Sequence, residues 1–177
     1  YDAKGLIKAA IRDEDPVLFF EHKLLYRSPK IKQEVPADDY IVPIGKASVR
    51  RQGRDLSIIT YGATVYTALD AAERLKGEDI DAEVIDLRTL MPFDREAIVE
   101  SVKKTSKVII LHEATRTGGM AGELTAVINE DAFEYLDAPV MRVTSIDTPV
   151  PYAPPLEEFF LPQVDDVIKA ARTLAAY

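Results

Sequence analysis

The sequence contains no cysteine and only two histidines, His22 and His112, among its 177 residues. These residues therefore hold no disulfide, no thiolate nucleophile, and no iron–sulfur or zinc site built on cysteine. Two histidines are also too few for a histidine-rich metal centre. Thiol chemistry and histidine-based metal chemistry are thereby excluded for this stretch of chain.

Positive charge and long apolar runs are scarce as well. Lysine and arginine number 22 against 30 aspartates and glutamates, which gives a formal net charge of −8 without a basic cluster. Such a chain has little with which to neutralise nucleic-acid phosphates or to bind anionic lipids. No apolar run approaches the roughly 18 residues that cross a bilayer. We therefore expect neither a nucleic acid nor a membrane as a partner.

A regular alternation of strand and helix patterns begins near residue 46. An edge strand is predicted at 47–51, and four further strands at 56–61, 82–87, 108–111 and 139–143. Helices are predicted between and after them, at 65–75, 94–102, 121–128 and 164–174. Strands that alternate with helices of this length indicate an α/β layer fold with a largely parallel sheet.

The residues before 46 follow a different pattern. Helical spacing of apolar residues predicts a helix at 3–12 with Asp2 as its N-cap. The continuous apolar run at 17–20 predicts a strand buried on both faces. One helix and one strand cannot form a core alone, so this segment needs a partner that the sequence does not supply. Residues 28–45, polar and proline-bearing, are predicted to form a linker, which makes 46–177 the complete domain.

Three short motifs admit a chemical and a structural interpretation. The glycine-rich run 118–122 between a strand and a helix either cradles a phosphate or lets the helix start tightly, although Thr117 breaks the dinucleotide fingerprint. His112 and Glu113 form either an acid–base pair or a structural hydrogen-bonding pair. The acidic residues at 13–15 either hold a hard cation or form a solvated turn. The stiff segment 147–155 is interpreted as a rigid loop.

Several segments, taken in order, resemble the β subunit of the thiamine-dependent 2-oxo acid dehydrogenases (the E1 component) of the branched-chain and pyruvate type. No single motif is diagnostic, but the ordered set is highly specific. The segments are 2–6, 10–16, 20–27 (FEHKLLYR), 34–36, 44–47, 83–89 (EVIDLRT), 112–114, 138–139 with 142–143, 147–149 and Tyr177. The residues at 19–21, 24–27, 112–114 and 117–119, with Tyr177, look closer to branched-chain enzymes than to pyruvate enzymes.

The resemblance implies a three-layer transketolase C-terminal-like domain at 46–177, preceded at 1–27 by the tail of the thiamine pyrimidine-binding domain. The family's cofactor-activating Glu and active-site His would lie upstream of Tyr1. Thiamine diphosphate and Mg²⁺ would belong to the complete enzyme, with the diphosphate held by a separate α subunit. No catalytic or cofactor-binding residue is therefore assigned here, and the 177 residues alone are expected to be inactive.

The resemblance also implies two binding sites and a set of partners. A structural K⁺ would use oxygens at Ala10, Asp13 and Asp15. Asp137 and the terminal carboxylate of Tyr177 would dock the peripheral subunit-binding domain of the E2 acyltransferase through charge-assisted contacts. The other partners are the E1 α subunit and a second β subunit, in a bacterial cytoplasm or, less favoured, the mitochondrial matrix.

Two rival interpretations stay open at this point. One is a free-standing docking domain whose role is assembly without chemistry. The other is part of another thiamine enzyme with the same C-terminal domain, such as a transketolase or a deoxyxylulose-phosphate synthase.

Overall fold

The computed structural model describes residues 1–177 and contains a five-stranded sheet in the order β1-β3-β2-β4-β5. The strands are β1 (Ser48–Arg51), β2 (Leu56–Thr60), β3 (Ala82–Asp86), β4 (Val108–Thr115) and β5 (Met141–Ser145). The helices are α1 (Asp2–Arg12), α2 (Thr64–Lys76), α3 (Arg95–Thr105), α4 (Met120–Ala132), α5 (Pro154–Phe160) and α6 (Val164–Ala175). Short 3₁₀ turns occur at Lys23–Arg27, Pro29–Ile31 and Phe133–Tyr135.

Four of the five strands run in the same direction. β2 pairs with β3 and with β4, and β4 pairs with β5, all parallel. Only β1 is antiparallel, at the edge, where Ser48 lies opposite Asp86. Every residue of β2 and β3 is buried, as expected of strands that are covered on both faces. The predicted α/β class and the mostly parallel sheet are confirmed.

Helices cover both faces of the sheet. One apolar cluster joins residues of α2 and α6 to the sheet residues Leu56, Ile58, Val84, Ile109 and Leu111. A second cluster joins residues of α3 and α4 to Ile59, Ile85, Val108 and Ile110. Alternate residues of each strand thus enter opposite clusters, because successive side chains of a strand point to opposite faces. The result is the predicted three-layer arrangement.

Polar side chains cap the N-termini of two of these helices. The Asp94 carboxylate accepts a hydrogen bond from the Ala97 amide at 3.2 Å and so caps α3. Gln163 and Asp166 form a reciprocal capping box at the start of α6. Both helices follow proline-bearing loops, and the caps give their first amides the partners that a helix start lacks.

Several predicted boundaries differ from the structure, and three of them concern β4, β5 and the segment after β5. β4 continues four residues beyond the predicted end at 111, because it pairs with β5 from Ile109 to Thr115. β5 begins two residues later than predicted, at Met141. The predicted rigid loop at 147–155 ends at residue 153, because the last two residues belong to the short helix α5, which has Pro154 in its first turn. Proline is well tolerated there because the first helical amide needs no partner.

The prediction of a buried strand at residues 17–20 is wrong. These residues form no regular secondary structure, and Leu18 and Phe20 are 84% and 87% exposed. The apolar run was interpreted as buried on both faces, yet nothing within these residues covers it. The predicted N-cap is also wrong by one residue, since Tyr1 precedes the helix and Asp2 lies in its first turn.

Helix α1 is held against residues 36–42 of the predicted linker. Lys8 and Arg12 both pair with Asp39, at 2.7 and 2.8 Å. Gly5 is buried against Val42, whose side chain is itself buried. Part of the predicted linker therefore packs on the N-terminal helix. The division of the chain at residues 27 and 45 stays a prediction.

Candidate functional site

The carboxyl ends of β4 and β5 form the sheet edge at which α/β folds usually place ligands. His112 lies near the end of β4 and is fully buried. Its Nε2 accepts a hydrogen bond from the Ala121 amide at 3.0 Å, so the ring is neutral with its proton on Nδ1. A Cβ on Gly119 would lie 2.6 Å from His112 Cε1. The glycine and the imidazole thus let α4 start tightly against the strand, which supports the structural interpretation of residues 118–122.

His112 and Glu113 do not act as a pair. His112 is fully buried beside α4, whereas the Glu113 side chain is 35% exposed, and the pairing of β4 with β5 becomes irregular directly after His112. Burial lowers the pKa of His112 below its ordinary value and favours the neutral ring. Glu113 instead contacts His22, with Oε1 3.0 Å from its Nε2. The sequence neighbours therefore serve two separate contacts, and one of them ties the N-terminal segment to the domain.

Asp147 shapes the loop that follows β4. Its carboxylate accepts hydrogen bonds from the Thr117 amide at 2.8 Å and from the Thr117 hydroxyl at 2.7 Å. These two bonds lower the pKa of Asp147. The contact joins the loops after two neighbouring parallel strands, whose ends meet at one edge of the sheet. The sequence analysis did not predict this contact. The signal that could have indicated it is an aspartate after one parallel strand and a glycine-rich loop after the neighbouring strand.

A polar cleft opens beside this loop. It has a volume of about 550 Å³, and no hydrophobic residue lines it. Its lining residues are Arg116, Thr117, Gly118, Gly119, Gly122, Glu123 and Arg142. Arg116 donates to the Arg142 carbonyl oxygen at 3.0 Å, and Arg142 donates to the Arg116 carbonyl oxygen at 3.4 Å. The two arginines are therefore held side by side, with Arg116 directly after β4 and Arg142 within β5.

The predicted K⁺ ligands lie where α1 ends. Ala10 belongs to the last turn of α1, whose final carbonyls have no intrahelical partner. Asp13 and Asp15 are exposed and follow the helix, and Asp13 Oδ1 accepts a hydrogen bond from the Asp15 amide at 3.0 Å. No group of three or more acidic or histidine side chains is arranged to hold a metal. Free main-chain oxygens at a helix C-terminus suit a cation, but the turn offers few ligands for one.

The two predicted docking residues are both at the surface. Asp137 is exposed, and its amide donates to the Ser106 carbonyl at 2.9 Å. Tyr177 is 68% exposed, and its amide donates to the Leu174 carbonyl at 3.2 Å. The side chain of each residue is thus free of the core.

Topology brings these two residues toward the same edge of the sheet. Helix α2 joins neighbouring parallel strands and so runs opposite to them. Two ion pairs, Arg74–Asp165 at 2.7 Å and Arg172–Glu78 at 2.8 Å, show that α6 runs in the same direction as α2. The end of α6 and the start of β5 therefore both lie at the edge where the parallel strands begin.

None of the helices has both the length and the apolarity needed to cross a bilayer.

Comparisons with known proteins identify the fold and its relatives. The model of the transketolase C-terminal domain matches residues 45–167. The 2-oxoisovalerate dehydrogenase subunit beta of Bacillus subtilis is 54% identical over the whole chain, which covers 54% of that protein. The pyruvate dehydrogenase E1 component subunit beta of the same organism is 48% identical over the whole chain, which also covers 54% of it.

One solved structure is similar as well. A split-gene transketolase, described as an inactive beta4 tetramer, superimposes with a TM-score of 0.68 at 30% identity, over 81% of this chain and 46% of that one. The chain thus spans about half the length of the relatives it matches. The predicted resemblance to E1 β subunits and the predicted domain are confirmed, and the chain belongs to the transketolase C-terminal domain family.

Proposed function

We propose that the chain is part of the β subunit of a 2-oxo acid dehydrogenase E1, with a branched-chain 2-oxo acid favoured over pyruvate as the substrate. The complete enzyme would decarboxylate the 2-oxo acid with thiamine diphosphate and Mg²⁺ and pass the acyl group to the lipoyl group of E2. The observation that carries this proposal is the 54% identity to a 2-oxoisovalerate dehydrogenase subunit over every residue, against 48% for a pyruvate enzyme.

Within that enzyme, these residues would serve assembly and docking. No residue of the chain is proposed to contact thiamine diphosphate. The two histidines are engaged elsewhere, since His112 accepts from the Ala121 amide and His22 contacts Glu113. Exposed apolar side chains at Leu18 and Phe20 supply the kind of surface that subunit interfaces bury. An α subunit and a second β subunit are the partners proposed to cover it.

The substrate assignment is tested by reconstitution. A β subunit that carries this chain would be assembled with its α subunit, and kcat/KM would be measured for pyruvate and for a panel of branched 2-oxo acids. We expect kcat/KM to be highest for a branched substrate. A preference for pyruvate would overturn the substrate assignment, and a lack of activity with every 2-oxo acid would overturn the E1 assignment. Calorimetry on the 177 residues alone is the matched control, with no binding of thiamine diphosphate expected.

Docking to E2 is proposed to use Asp137 and the terminal carboxylate of Tyr177. Their exposure, and the position of the end of α6 and the start of β5 at one edge, support a shared acidic contact for arginines or lysines of the E2 peripheral subunit-binding domain. Two carboxylates that face guanidinium groups form short, charge-assisted hydrogen bonds. Because these contacts are solvent-accessible, the affinity should fall as salt is added.

The docking proposal is tested with Asp137→Lys in the assembled E1. We expect the affinity for the E2 domain to fall by at least about tenfold at low salt, since an attraction becomes a repulsion. Glu134→Lys, at a nearby exposed acid, makes the same change in charge and is the control. Equal losses in the two variants would mean that only net charge matters. An unchanged affinity for Asp137→Lys would remove Asp137 from the contact.

A K⁺ ion is proposed to bind at the end of α1 through oxygens of Ala10, Asp13 and Asp15. The free carbonyls of the last helical turn support this position, and further oxygens would come from residues outside this chain. The test compares the Tm of the whole β subunit in KCl and in NaCl at equal ionic strength. We expect a higher Tm in KCl and a smaller difference for Asp13→Ala than for Glu14→Ala. Equal Tm values in the two salts would exclude a K⁺-selective site.

The compartment is proposed to be a bacterial cytoplasm, with the mitochondrial matrix as the alternative. The relatives from Bacillus subtilis support the first assignment.

A further inference from the structure

Arg116 and Arg142 differ from nearly every other arginine of this acidic chain. Eight of the eleven arginines have a carboxylate within 4.0 Å. The three without one are Arg27, Arg116 and Arg142. With 30 acidic residues available, an arginine usually finds a partner. Two of the three exceptions nevertheless lie side by side in one cleft, where each donates to the other's carbonyl oxygen.

The cleft is shaped by backbone rather than by bulky side chains. Gly118 has a φ of +75°, which a residue with a Cβ adopts only with strain, and Gly119 has no room for a Cβ. Asp147 fixes the same loop through Thr117, as described above. The volume of about 550 Å³ falls within the range of small-molecule sites, roughly 300–1,000 Å³. Because no hydrophobic side chain lines the cleft and two arginines do, it suits an anionic ligand better than an apolar one.

We propose that this cleft binds the phosphate group of a phosphorylated small molecule through the guanidinium groups of Arg116 and Arg142. Guanidinium groups present planar, paired donors that match the oxygens of phosphate. A phosphate group carries between one and two negative charges near neutral pH, so it matches the charge of two neighbouring arginines better than the single charge of a carboxylate ligand does. The cleft shares no residue with the proposed docking contact, and its proposal does not depend on the E1 assignment.

Glu123 allows a second, independent test of phosphate binding. It lines the same cleft and pairs with no lysine or arginine within 4.0 Å. A carboxylate there opposes a phosphate by like-charge repulsion. Removing its charge should therefore strengthen binding, whereas removing either arginine should weaken it. Opposite effects from neighbouring positions are hard to obtain from a general loosening of the fold.

The experiment is an NMR titration of the 177-residue chain with inorganic phosphate and with glycerol 2-phosphate, and with acetate at equal ionic strength. We expect the amide signals of Gly118 and Gly119 to shift saturably with both phosphates and far less with acetate. Arg116→Ala with Arg142→Ala should raise the Kd by at least about tenfold, and Glu123→Gln should lower it several-fold. Shifts with inorganic phosphate but none with glycerol 2-phosphate would overturn the small-molecule assignment.

Arg27→Ala is the matched control, because it removes the third arginine without a carboxylate partner from a different part of the chain. We expect it to leave the Kd of phosphate unchanged. An equal weakening by Arg27→Ala, or equal shifts with acetate, would mean unspecific ionic attraction and would overturn the proposal. An absence of saturable shifts with any phosphate would overturn it as well.

Discussion

Arg88 joins three segments of the chain through one side chain. Its guanidinium donates to the carbonyl oxygens of Lys46 and Ala47, at 3.0 and 2.8 Å, and to the Asp2 carboxylate at 3.1 Å. Its backbone adopts a φ of +58°, and its amide donates to the Asp86 carboxylate. The residue thus connects α1, the start of the domain and the end of β3. The sequence analysis had used it only as part of the family resemblance.

Replacing Arg88 by alanine should lower the free energy of unfolding by about 1–3 kcal/mol. The change leaves two carbonyls and a carboxylate without their donor in a region where the arginine side chain is 13% exposed. Urea denaturation measures the effect. Arg54→Ala is the control, because Arg54 is 81% exposed and its ion pair spans 3.8 Å. A loss from Arg88→Ala no larger than that from Arg54→Ala would contradict the role assigned to Arg88.

The buried ring of His112 should make stability depend on pH. Its folded-state pKa is lowered from 6.5 by burial, and its neutral Nε2 accepts from the Ala121 amide. For a base with a lowered folded-state pKa, the unfolded chain takes up the proton first. The stability is therefore complete above the unfolded pKa and is lost as the pH falls below it.

We expect the free energy of unfolding to decrease between about pH 7.5 and pH 5, and His112→Gln to decrease less over that interval. Glutamine can offer an oxygen to the Ala121 amide but does not titrate. Denaturant unfolding at several pH values measures both proteins, and the difference between them isolates this histidine from the other titrating groups. Parallel pH profiles would rule out His112 as their cause.

At the scale of the element, helix α1 depends on close contact with residues 36–42. A Cβ on Gly5 would meet the Val42 side chain and would lie 2.9 Å from the Val42 amide nitrogen. Propensity alone favours alanine over glycine inside a helix by about 1 kcal/mol. The packing and the propensity thus predict opposite signs for the same substitution, and the buried contact should prevail.

Gly5→Ala is expected to reduce hydrogen-exchange protection of the α1 amides, because the added methyl group forces the helix away from Val42. Ala3→Gly, at an exposed position of the same helix, changes propensity without touching that contact. We expect Ala3→Gly to lower the protection only slightly. A rise in protection for Gly5→Ala would mean that propensity decides and that the contact with Val42 is weak.

The end of β4 is set by its pairing with β5 and not by the residues of β4 alone. The apolar run at 108–111 indicates a strand, but residues 112–115 give no apolar signal. His112 and Thr115 pair with Thr144 and Ser145 of β5, and the register shifts between these two pairs. The same pairing turns His112 inward and Glu113 outward. A boundary set by a neighbouring strand is not visible in the residues that form it.

At the scale of the whole molecule, the core and the N-terminal segment should contribute very unequally to stability. Phe20→Ser should change the free energy of unfolding by less than about 0.5 kcal/mol, because the side chain is 87% exposed. Ile109→Ala should cost about 2–5 kcal/mol, because Ile109 is fully buried in the central sheet. Denaturant unfolding measures both. A loss of several kcal/mol from Phe20→Ser would mean that residues 17–20 are buried, as the sequence predicted.

Much of the fold was predictable because its signals are local. Continuous apolar strands alternate with amphipathic helices, and that alternation by itself indicates an α/β fold with a mostly parallel sheet. The resemblance added the three-layer domain and its family, since it compares ordered segments rather than single motifs. Residues 17–20 show the limit of such signals, because an apolar run says that a partner is needed but not that one is present.

The arrangement at the carboxyl edge required the folded chain. Asp147 and Thr117 are 30 residues apart, and Arg116 and Arg142 are 26 apart, so no local pattern links them. Asp147 meets Thr117 because β4 and β5 are parallel neighbours whose following loops leave the sheet at the same edge, and Arg142 meets Arg116 from within β5. The residue sequence specifies the layers, whose patterns repeat over a few residues. Which side chains share a cleft depends on strand order and register, which arise only when distant segments pack together.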